Sequence, residues 1–536
     1  MSASTGYYLE DEEKSIARLE DARDVYAIEA APDRVIVKRF GRLGPFLSRL
    51  FASGIEAHGV ERVLENQRES KNAWNNILMW WSVNTVFDII PIGVLARSTF
   101  TLSFGNAVAT ILCFGALGAV ATAFVATLGP ITGLRTMVIT RFSSGYLGCT
   151  IYSVLNILTQ LGFATTTVIL GGQTLSNINP GTLPSVVGII IIGVCSLIPC
   201  VVGYNMVHFY ERYAWIITLI GMLFLCGLGG KAGYNINAQK PLQEEMGHAL
   251  TADILSFGGI VFGLFTGWAP IAADFNCRLP ADTSPMRVFL LTFFGLFIPI
   301  CFVTILGAAL MTITDPAYVA AFRSGSTGGL VAQVLSPLGH FGQFILVLLS
   351  LSVVANNIPN TYSAGLSMQA LGRPFAIIPR FFWVLLAFVA YTTAGVAGRE
   401  HFSTILSNFL RILGDWTAFF IVIVAEEHFI FRRKNGPLGG YNLDDYDTPS
   451  KLPVGVAGIL AGCFGAAGAV IGMSQAGHQH RISPLGEMVG AEIGFEVCII
   501  FGCLDIDSLT GFKLAAVFSA VTYFPLRALE IRLTGR

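Results

Sequence analysis

The sequence predicts an all-α integral membrane protein with twelve transmembrane helices. Three observations carry this. The 536 residues are 53% hydrophobic and only 12% charged, against roughly 25% charge in a soluble domain. Mean hydropathy is +0.65. The charges also cluster: residues 1–72 mix Asp, Glu, Lys and Arg densely, whereas 102–128 carry none. A chain of this kind turns most of its surface toward something other than water. The job that best suits it is carrying a small polar solute across a bilayer.

A bilayer crossing takes about 20 mostly apolar residues. Such runs lie near 75–96, 102–128, 147–173, 184–204, 213–230, 254–274, 288–312, 341–370, 375–397, 403–430, 454–473 and 511–528. Segment 488–504 is apolar too, but it is short and carries Glu492 and Glu496, so it reads as an extramembrane or interfacial piece. The expected organisation is a cytosolic tail over 1–72, a ten-helix transport core over 73–432, and two further helices over 433–536. These last two enclose a loop and end in a short cytosolic C-terminus.

Twelve crossings place both termini on one side, and basic loops favour the cytosol. With the tail inside, the inner loops hold Arg135, Arg141, Arg212, Arg278, Arg287, Arg373, Arg380, Arg432, Arg433, Lys434 and Lys451. The outer loops hold Arg97, Lys231, Lys240, Arg323, Arg399 and Arg481. The excess puts both termini in the cytosol of a multi-pass protein. The opening MSASTGYYLEDEEKS has no apolar signal-peptide core, so the first span is expected to act as its own insertion signal. After Arg34, VIVKRFGRLGPFLSRLF alternates basic and apolar residues and can lie on the inner leaflet; a solvated regulatory tail fits it equally.

Composition also narrows the partners. A net charge of −1 lacks the basic footprint of nucleic-acid binding. The ten cysteines are scattered singly with no Cys-x-x-Cys or metal-ligand spacing, and read as small packing residues. No nucleophile elbow, P-loop or paired catalytic carboxylate appears. GLGGKAG at 227–233 lacks the second half of a phosphate loop. The expectation is therefore no enzyme, no cofactor and no metal, with the bilayer and one small-molecule substrate as partners; the oligomeric state is not legible.

Helix-breaking residues inside the apolar runs point to a site. Irregular backbone at membrane depth is tolerated where it lines a cavity or is buried in protein. The first span reads LMWWSVNTVFDIIPIGVL: Trp80, Trp81, Ser82, Asn84, Thr85 and Asp88 crowd its centre, and Pro91 follows. The sixth reads VFGLFTGWAPIAADF, with Thr266, Gly267, Trp268 and Pro270 at its centre and Asp274 beyond. The two breaks lie five spans apart. That spacing predicts two five-span inverted repeats with a midplane site between them.

The eighth span holds SVVANNIPNTYSAG, with Asn356, Asn357, Pro359, Asn360, Tyr362 and Ser363 close together. Each amide offers two donors and two lone pairs, and leaving them unmet in hydrocarbon costs several kcal/mol. Helix–helix glue around a proline kink is one reading; a hydrogen-bonding wall for a ligand with amide-like edges is the other. One kink does not need three amides, which favours the ligand. Aromatic rings and amides together suit a flat heterocycle.

These stretches resemble the fungal purine–cytosine permeases of the nucleobase–cation symport-1 family. The resemblance rests on ANNIPNTYS, FTGWAPIAADF, MWWSVNT, VILGGQTL, AEEHFIFR and FPLRALE, and covers roughly residues 59–532. It implies a LeuT-like twelve-helix fold, with a five-plus-five inverted repeat and two extra C-terminal helices. It further implies proton-coupled uptake of cytosine and purines at the plasma membrane. Ser82 matches the family's polar contact in span one, and Trp268 the ring-stacking tryptophan of span six. Asn356, Asn357, Pro359 and Asn360 match the span-eight motif, with Asn360 the expected ligand contact. Span three departs: where relatives read LNxxxxxGWSxxN, this chain reads LNILTQLGFATTT, so Phe163 replaces the aromatic and Thr167 the amide. A phenyl ring still stacks, but a threonine offers no bidentate amide. That departure makes a pyridine-like substrate such as pyridoxine, or allantoin, the alternative to a nucleobase.

Asp88 is a second departure, and an ionisable group in a span is a functional candidate by default. It can carry a coupling proton, pair with substrate, or simply face water. Asp274 is expected at the inner end of span six. Glu426 and Glu427, before His428, sit at the inner end of span ten, where pairing with Arg432 would make a gate. The expected mechanism is alternating access around spans 1, 3, 6 and 8, with a proton as coupling ion. Unwound carbonyls of spans 1 and 8 offer sodium an alternative place. Rival functions are an uncoupled facilitator and a substrate-sensing transceptor signalling through its tail.

Overall fold

The computed structural model describes residues 59–68, 73–179, 181–202, 204–235, 247–472 and 514–536. Almost all of tail 1–72 and all of segment 488–504 lie outside them. The described residues contain no strand. They form, in order, α1 Trp74–Asn84, α2 Ile90–Ser98, α3 Phe104–Thr132, α4 Thr136–Ile139, α5 Arg141–Ser176, α6 Ser185–Val202, α7 Tyr204–Ala232 and α8 Gly247–Thr266. There follow α9 Pro285–Leu310, α10 Pro316–Leu335, α11 His340–Ala370, α12 Arg373–Ala376, α13 Arg380–Gly398, α14 Phe402–Glu426, α15 Val456–Gly472 and α16 Leu514–Thr534. Seven helical stretches are long and apolar enough to cross a membrane, or eight if the bent pair α1–α2 makes one crossing. Two shorter apolar helices, Ser185–Cys200 and Val456–Ala469, accompany them.

α5 shows how such a helix sorts its faces. Leu147, Ile151, Val154 and Leu158 recur at helical spacing and are exposed, whereas Ser153, Asn156, Thr159 and Gln160 are buried. The apolar stripe points outward and the polar one inward, the arrangement a lipid solvent selects. The inward stripe zips α5 to α11: Asn156 Nδ2 donates to Ser367 Oγ at 2.7 Å, and Gln160 Nε2 donates to Asn156 Oδ1 at 2.8 Å. α3 packs on α8 and α9, α14 on α8 and α16, and α15 on α16.

Both sequence-predicted breaks are present. α1 and α2 are bent by 60° across Thr85–Ile89, which includes a short 3-10 turn at Phe87–Ile89. Span six stops at Thr266 and resumes as the 3-10 turn Ala269–Ile271. The breaks are tolerated because neighbours satisfy the freed backbone groups. Phe87 N–H donates to Ser352 Oγ on α11 at 3.1 Å. Thr122 Oγ1 on α3 donates to the Phe265 carbonyl at 2.9 Å.

Two expectations need correction. Span eight does not unwind: α11 is helical from His340 to Ala370 with Pro359 inside it. A proline removes one donor and bends a helix without ending it where neighbours hold both sides. And α10, between spans seven and eight, had no counterpart in the sequence reading. Its AFRSGSTGGL stretch is too polar and glycine-rich for a crossing, yet Asp315 caps it through the Ala317 N–H. It bends at Ser326, whose backbone is left-handed (φ 55°).

Candidate functional site

The two broken spans meet. Trp80 of α1 and Trp268 of the span-six break pack edge to face, with ring centroids 5.6 Å apart. Trp268 Nε1–H donates to Asn84 Oδ1 at 3.1 Å, and Asn84 Nδ2 donates to its own turn at the Trp80 carbonyl, 2.8 Å. The last turn of α1 thus fixes the indole plane. Asn84 was visible in the sequence as part of the span-one cluster; its role as the indole's anchor was not.

A small enclosed cavity lies beside this contact. Asp88, Ile89 and Ile92 line it from the first break, Phe163, Thr166 and Thr167 from α5, Leu264 and Trp268 from span six, Asn356 from α11, and Phe402 and Leu406 from α14. Its free volume is about 20 Å³, room for a water and not for a heterocycle. A ring can enter only if the lining moves apart.

Five of the predicted residues, Asp88, Phe163, Thr167, Trp268 and Asn356, converge on this cavity. Thr167 Oγ1 donates to Asp88 Oδ2 at 3.0 Å. Asp88 Oδ1 is buried and takes no hydrogen bond from another residue. The two departures seen in the sequence therefore touch each other. Phe163 stands edge-on to Phe409 at 5.0 Å and covers Gly267, where a Cβ would come within 2.6 Å of its ring. A glycine is needed there for the ring to sit on the break.

The other three predicted contacts stand behind the wall. Asn360 is buried, and its Nδ2 donates to Asn356 Oδ1 at 2.9 Å. Asn356 Nδ2 in turn donates to the Val83 carbonyl at 3.0 Å. Asn360 thus orients Asn356 from below, where the family resemblance implied a direct ligand contact. Asn357 faces the other way, beside the Tyr391 hydroxyl of α13. Ser82 is buried on α1, and its hydroxyl has no partner. Thr166, Leu264, Phe402 and Leu406 line the cavity without having been singled out. Thr166 sits one residue from a flagged position; the others are apolar and look like ordinary core in a sequence.

The expected inner end is sealed by polar contacts. Arg135 Nη1 donates to the Asp274 carbonyl at 2.8 Å, and the Thr136 N–H donates to Asp274 Oδ1 at 2.6 Å. Asp274 therefore caps α4 rather than lining the cavity. Arg68 Nη1 reaches the Pro130 carbonyl at 2.7 Å and the Leu279 carbonyl at 3.2 Å, drawing segment 59–68 beneath the same region. Of the paired glutamates, Glu427 makes the ion pairs: with Arg432 at 2.7 Å and with Arg527 of α16 at 3.1 Å. Glu426 is not part of this cluster, and its Oε2 lacks a partner. The π-turn Glu427–Phe431 turns the side chains by one residue, which a straight helical reading does not foresee. Among the described residues no group of three or more His, Cys, Asp or Glu could hold a metal ion.

Comparison with known proteins identifies the family. The family described as "Permease for cytosine/purines, uracil, thiamine, allantoin" matches residues 63–482. The purine-cytosine permease fcyB of Emericella nidulans is 37% identical over 91% of this chain and 92% of its own. The purine-cytosine permease FCY2 of Saccharomyces cerevisiae is 33% identical over 91% and 89%, and the vitamin B6 transporter TPN1 of the same yeast 29% identical over 94% and 92%. Among solved structures, Mhp1, a nucleobase-cation-symport-1 family transporter closed on bromovinylhydantoin, superposes with TM-score 0.61 at 13% identity, covering 89% of this chain and 96% of Mhp1. Its inward-facing form gives TM-score 0.62 at 15% identity. The broken first and sixth spans, their facing tryptophans and a match over most of the chain lead to one conclusion: this protein belongs to the family of membrane permeases for cytosine/purines, uracil, thiamine and allantoin.

Proposed function

We propose that the protein is a secondary active transporter that imports cytosine- and purine-type nucleobases across the plasma membrane, with a proton as coupling ion. The observation that carries this is the closed cavity where two broken spans meet, walled by Phe163 and Trp268 and edged by Asp88, Thr167 and Asn356. Flat rings gain about 1–3 kcal/mol per stacked aromatic. A hydrogen-bonding edge adds selectivity, because a wrong ligand leaves buried polar groups unmet. Relatives named as purine-cytosine permeases support the substrate class.

In this reading α1–α2, α3, α5, α6, α7, α8 with its following turn, α9, α11, α13, α14, α15 and α16 are the twelve spans. The first ten form two inverted repeats over 73–432, the last two lie in 433–536, and both termini are cytosolic. Ser82, Asn357 and Asn360 complete the site as it opens. A proton is the coupling ion in this reading because the cavity offers it a buried carboxyl at Asp88; sodium at the unwound first span is the alternative. One proton moved down a potential of about 100 mV supplies about 2.3 kcal/mol, enough for roughly 50-fold accumulation.

The test is uptake of labelled cytosine, adenine, hypoxanthine, uracil, allantoin and pyridoxine by cells lacking their own carriers, with and without a protonophore. Nucleobase accumulation that collapses with the protonophore is expected. Uptake that survives it makes the protein a facilitator. Pyridoxine uptake without nucleobase uptake gives the second reading, which Thr167 in place of the family amide and the likeness to a vitamin B6 transporter favour. Substrate-triggered internalisation without flux would mark a transceptor.

A further inference from the structure

Among the described residues, the carboxyl of Asp88 is the one ionisable group lining the cavity, and its setting differs from that of a salt-bridged aspartate. Its Oδ2 accepts from Thr167 Oγ1 at 3.0 Å, and its Oδ1 is buried without a partner on another residue. The rest of the lining, from Ile89 to Leu406, is neutral. Helices α2, α5, α9 and α11 pack against the Phe87–Ile89 turn. Their charged or titratable groups include Arg97, Arg141, Tyr146, Cys149, Tyr152, Arg287, Cys301, His340 and Tyr362, and none of these acts electrostatically on Asp88. Arg411 and Asp415 of α14, beyond Leu406, do not act on it either. A bare carboxylate held this way is costly. The natural remedies are a proton or a ligand that supplies donors.

We propose that protonated Asp88 takes the place of the amide that Thr167 does not provide, and reads heterocycles whose edge pairs an amino group with a ring-nitrogen acceptor. This rests on the transport reading above and narrows its substrate class. A carboxylic acid presents one donor and one acceptor side by side, the same pattern as a primary amide. With the proton on Oδ1, that O–H donates to the ring nitrogen. Oδ2 keeps a lone pair beyond the one used by Thr167, and this accepts from the amino N–H. Cytosine and adenine carry such an edge; uracil and hypoxanthine carry an oxo group and a ring N–H in its place, which the acid meets only with the ring turned over, so the preference requires the cavity walls to hold one ring orientation. Ionised Asp88 would set its lone pairs against the ring nitrogen's and reject the same edge. Proton and substrate binding are thereby linked, each strengthening the other by the same factor. The proton enters on Oδ1 from the outer solution with the substrate and leaves to the inner solution after it. Stacking between Phe163 and Trp268 is indifferent to the edge, so selectivity and coupling fall to the same carboxyl.

The experiment measures uptake, uphill accumulation and exchange of preloaded label in cells expressing the full chain, across acid to neutral pH, for cytosine, adenine, uracil and hypoxanthine. Wild type should prefer the amino bases by about tenfold or more, with affinity falling as pH rises. Asp88→Asn carries the donor–acceptor pair permanently. It should still exchange the amino bases but lose both the pH dependence and the uphill accumulation. Asp88→Ala should lose at least about tenfold in affinity for the amino bases, with unchanged abundance at the cell surface. If Asp88→Asn keeps wild-type pH dependence and accumulation, the inference is wrong while the transport reading stands. Should neither variant reach the surface, wild type alone decides: equal affinities and equal pH profiles for amino and oxo bases overturn it. Absence of transport for any heterocycle by wild type overturns both.

Discussion

At the residue scale, Trp268 and Thr167 separate the two jobs of the site. Trp268 is held by Asn84 at 3.1 Å and abutted by Trp80, so its ring plane is set before any substrate arrives. Trp268→Ala removes one stacking face worth about 1–3 kcal/mol and should raise the half-saturating concentration for every substrate by about 5- to 150-fold, read in competition uptake. Trp268→Phe keeps a ring but loses the indole N–H and should fall between. Thr167→Asn puts an amide on α5 beside Asp88 and should move preference toward cytosine; unchanged selectivity would show that position 167 does not read the substrate. Much of this was legible in the sequence, because tryptophan, asparagine and aspartate are conspicuous inside apolar runs. The direction each side chain takes was not. Asn356 lines the cavity, Asn357 turns toward α13 and Asn360 sits one helical turn behind Asn356. Their order along one helix is plain, but facing depends on how α11 is rotated against its neighbours.

Elements add a constraint that the composition only hints at. α2 crosses α9 at Gly93 and Gly307: a Cβ on Gly93 would lie 1.8 Å from the Thr304 carbonyl, and one on Gly307 would lie 2.1 Å from the Ile90 carbonyl. Small residues let two backbones touch where lipid gives no hydrophobic drive for association. Gly93→Val should therefore cost about 1–3 kcal/mol or more through overpacking, and show as a lower yield and melting temperature of purified protein. Gly93→Ala already adds the Cβ that meets the Thr304 carbonyl, so it too should lower yield and melting temperature, by less than valine. The long apolar helices were legible because lipid demands about 20 apolar residues at a stretch. α10 was not, since a helix that packs on the outside of others needs no such run. The pairing of Glu427 rather than Glu426 with Arg432 was hidden in the same way, by a π-turn that no residue pattern announces.

For the whole molecule, the closed cavity implies that transport requires two seals to open in turn. On the expected inner side the seal is polar. Arg135 binds the Asp274 carbonyl, Asp274 caps α4, and Arg68 ties segment 59–68 to the carbonyls of Pro130 and Leu279. Beneath it, Glu427 is 2% exposed and Arg527 fully buried, joining α14 to α16. Tyr523 OH also donates to Glu427 Oε2 at 2.9 Å. These two layers should respond differently to substitution. Glu427→Ala takes the carboxylate from buried Arg432 and leaves Arg527 only its pair with Glu530, which costs about 3–5 kcal/mol and should deplete the protein from the membrane. Asp274→Ala removes the carboxylate that accepts from the Thr136 N–H but leaves the backbone carbonyl that Arg135 binds; it costs about 1 kcal/mol and should leave a folded carrier biased toward opening inward. Its efflux of preloaded substrate should quicken by about fivefold, and its uphill accumulation should fall by a similar factor, since 1 kcal/mol shifts a two-state balance by that much. A variant that is abundant at the surface with unchanged efflux would show that the Asp274 carboxylate does not hold the inner side closed. The closure would then rest on the backbone carbonyls held by Arg135 and Arg68 and on the Glu427 cluster that joins α16 to the end of α14.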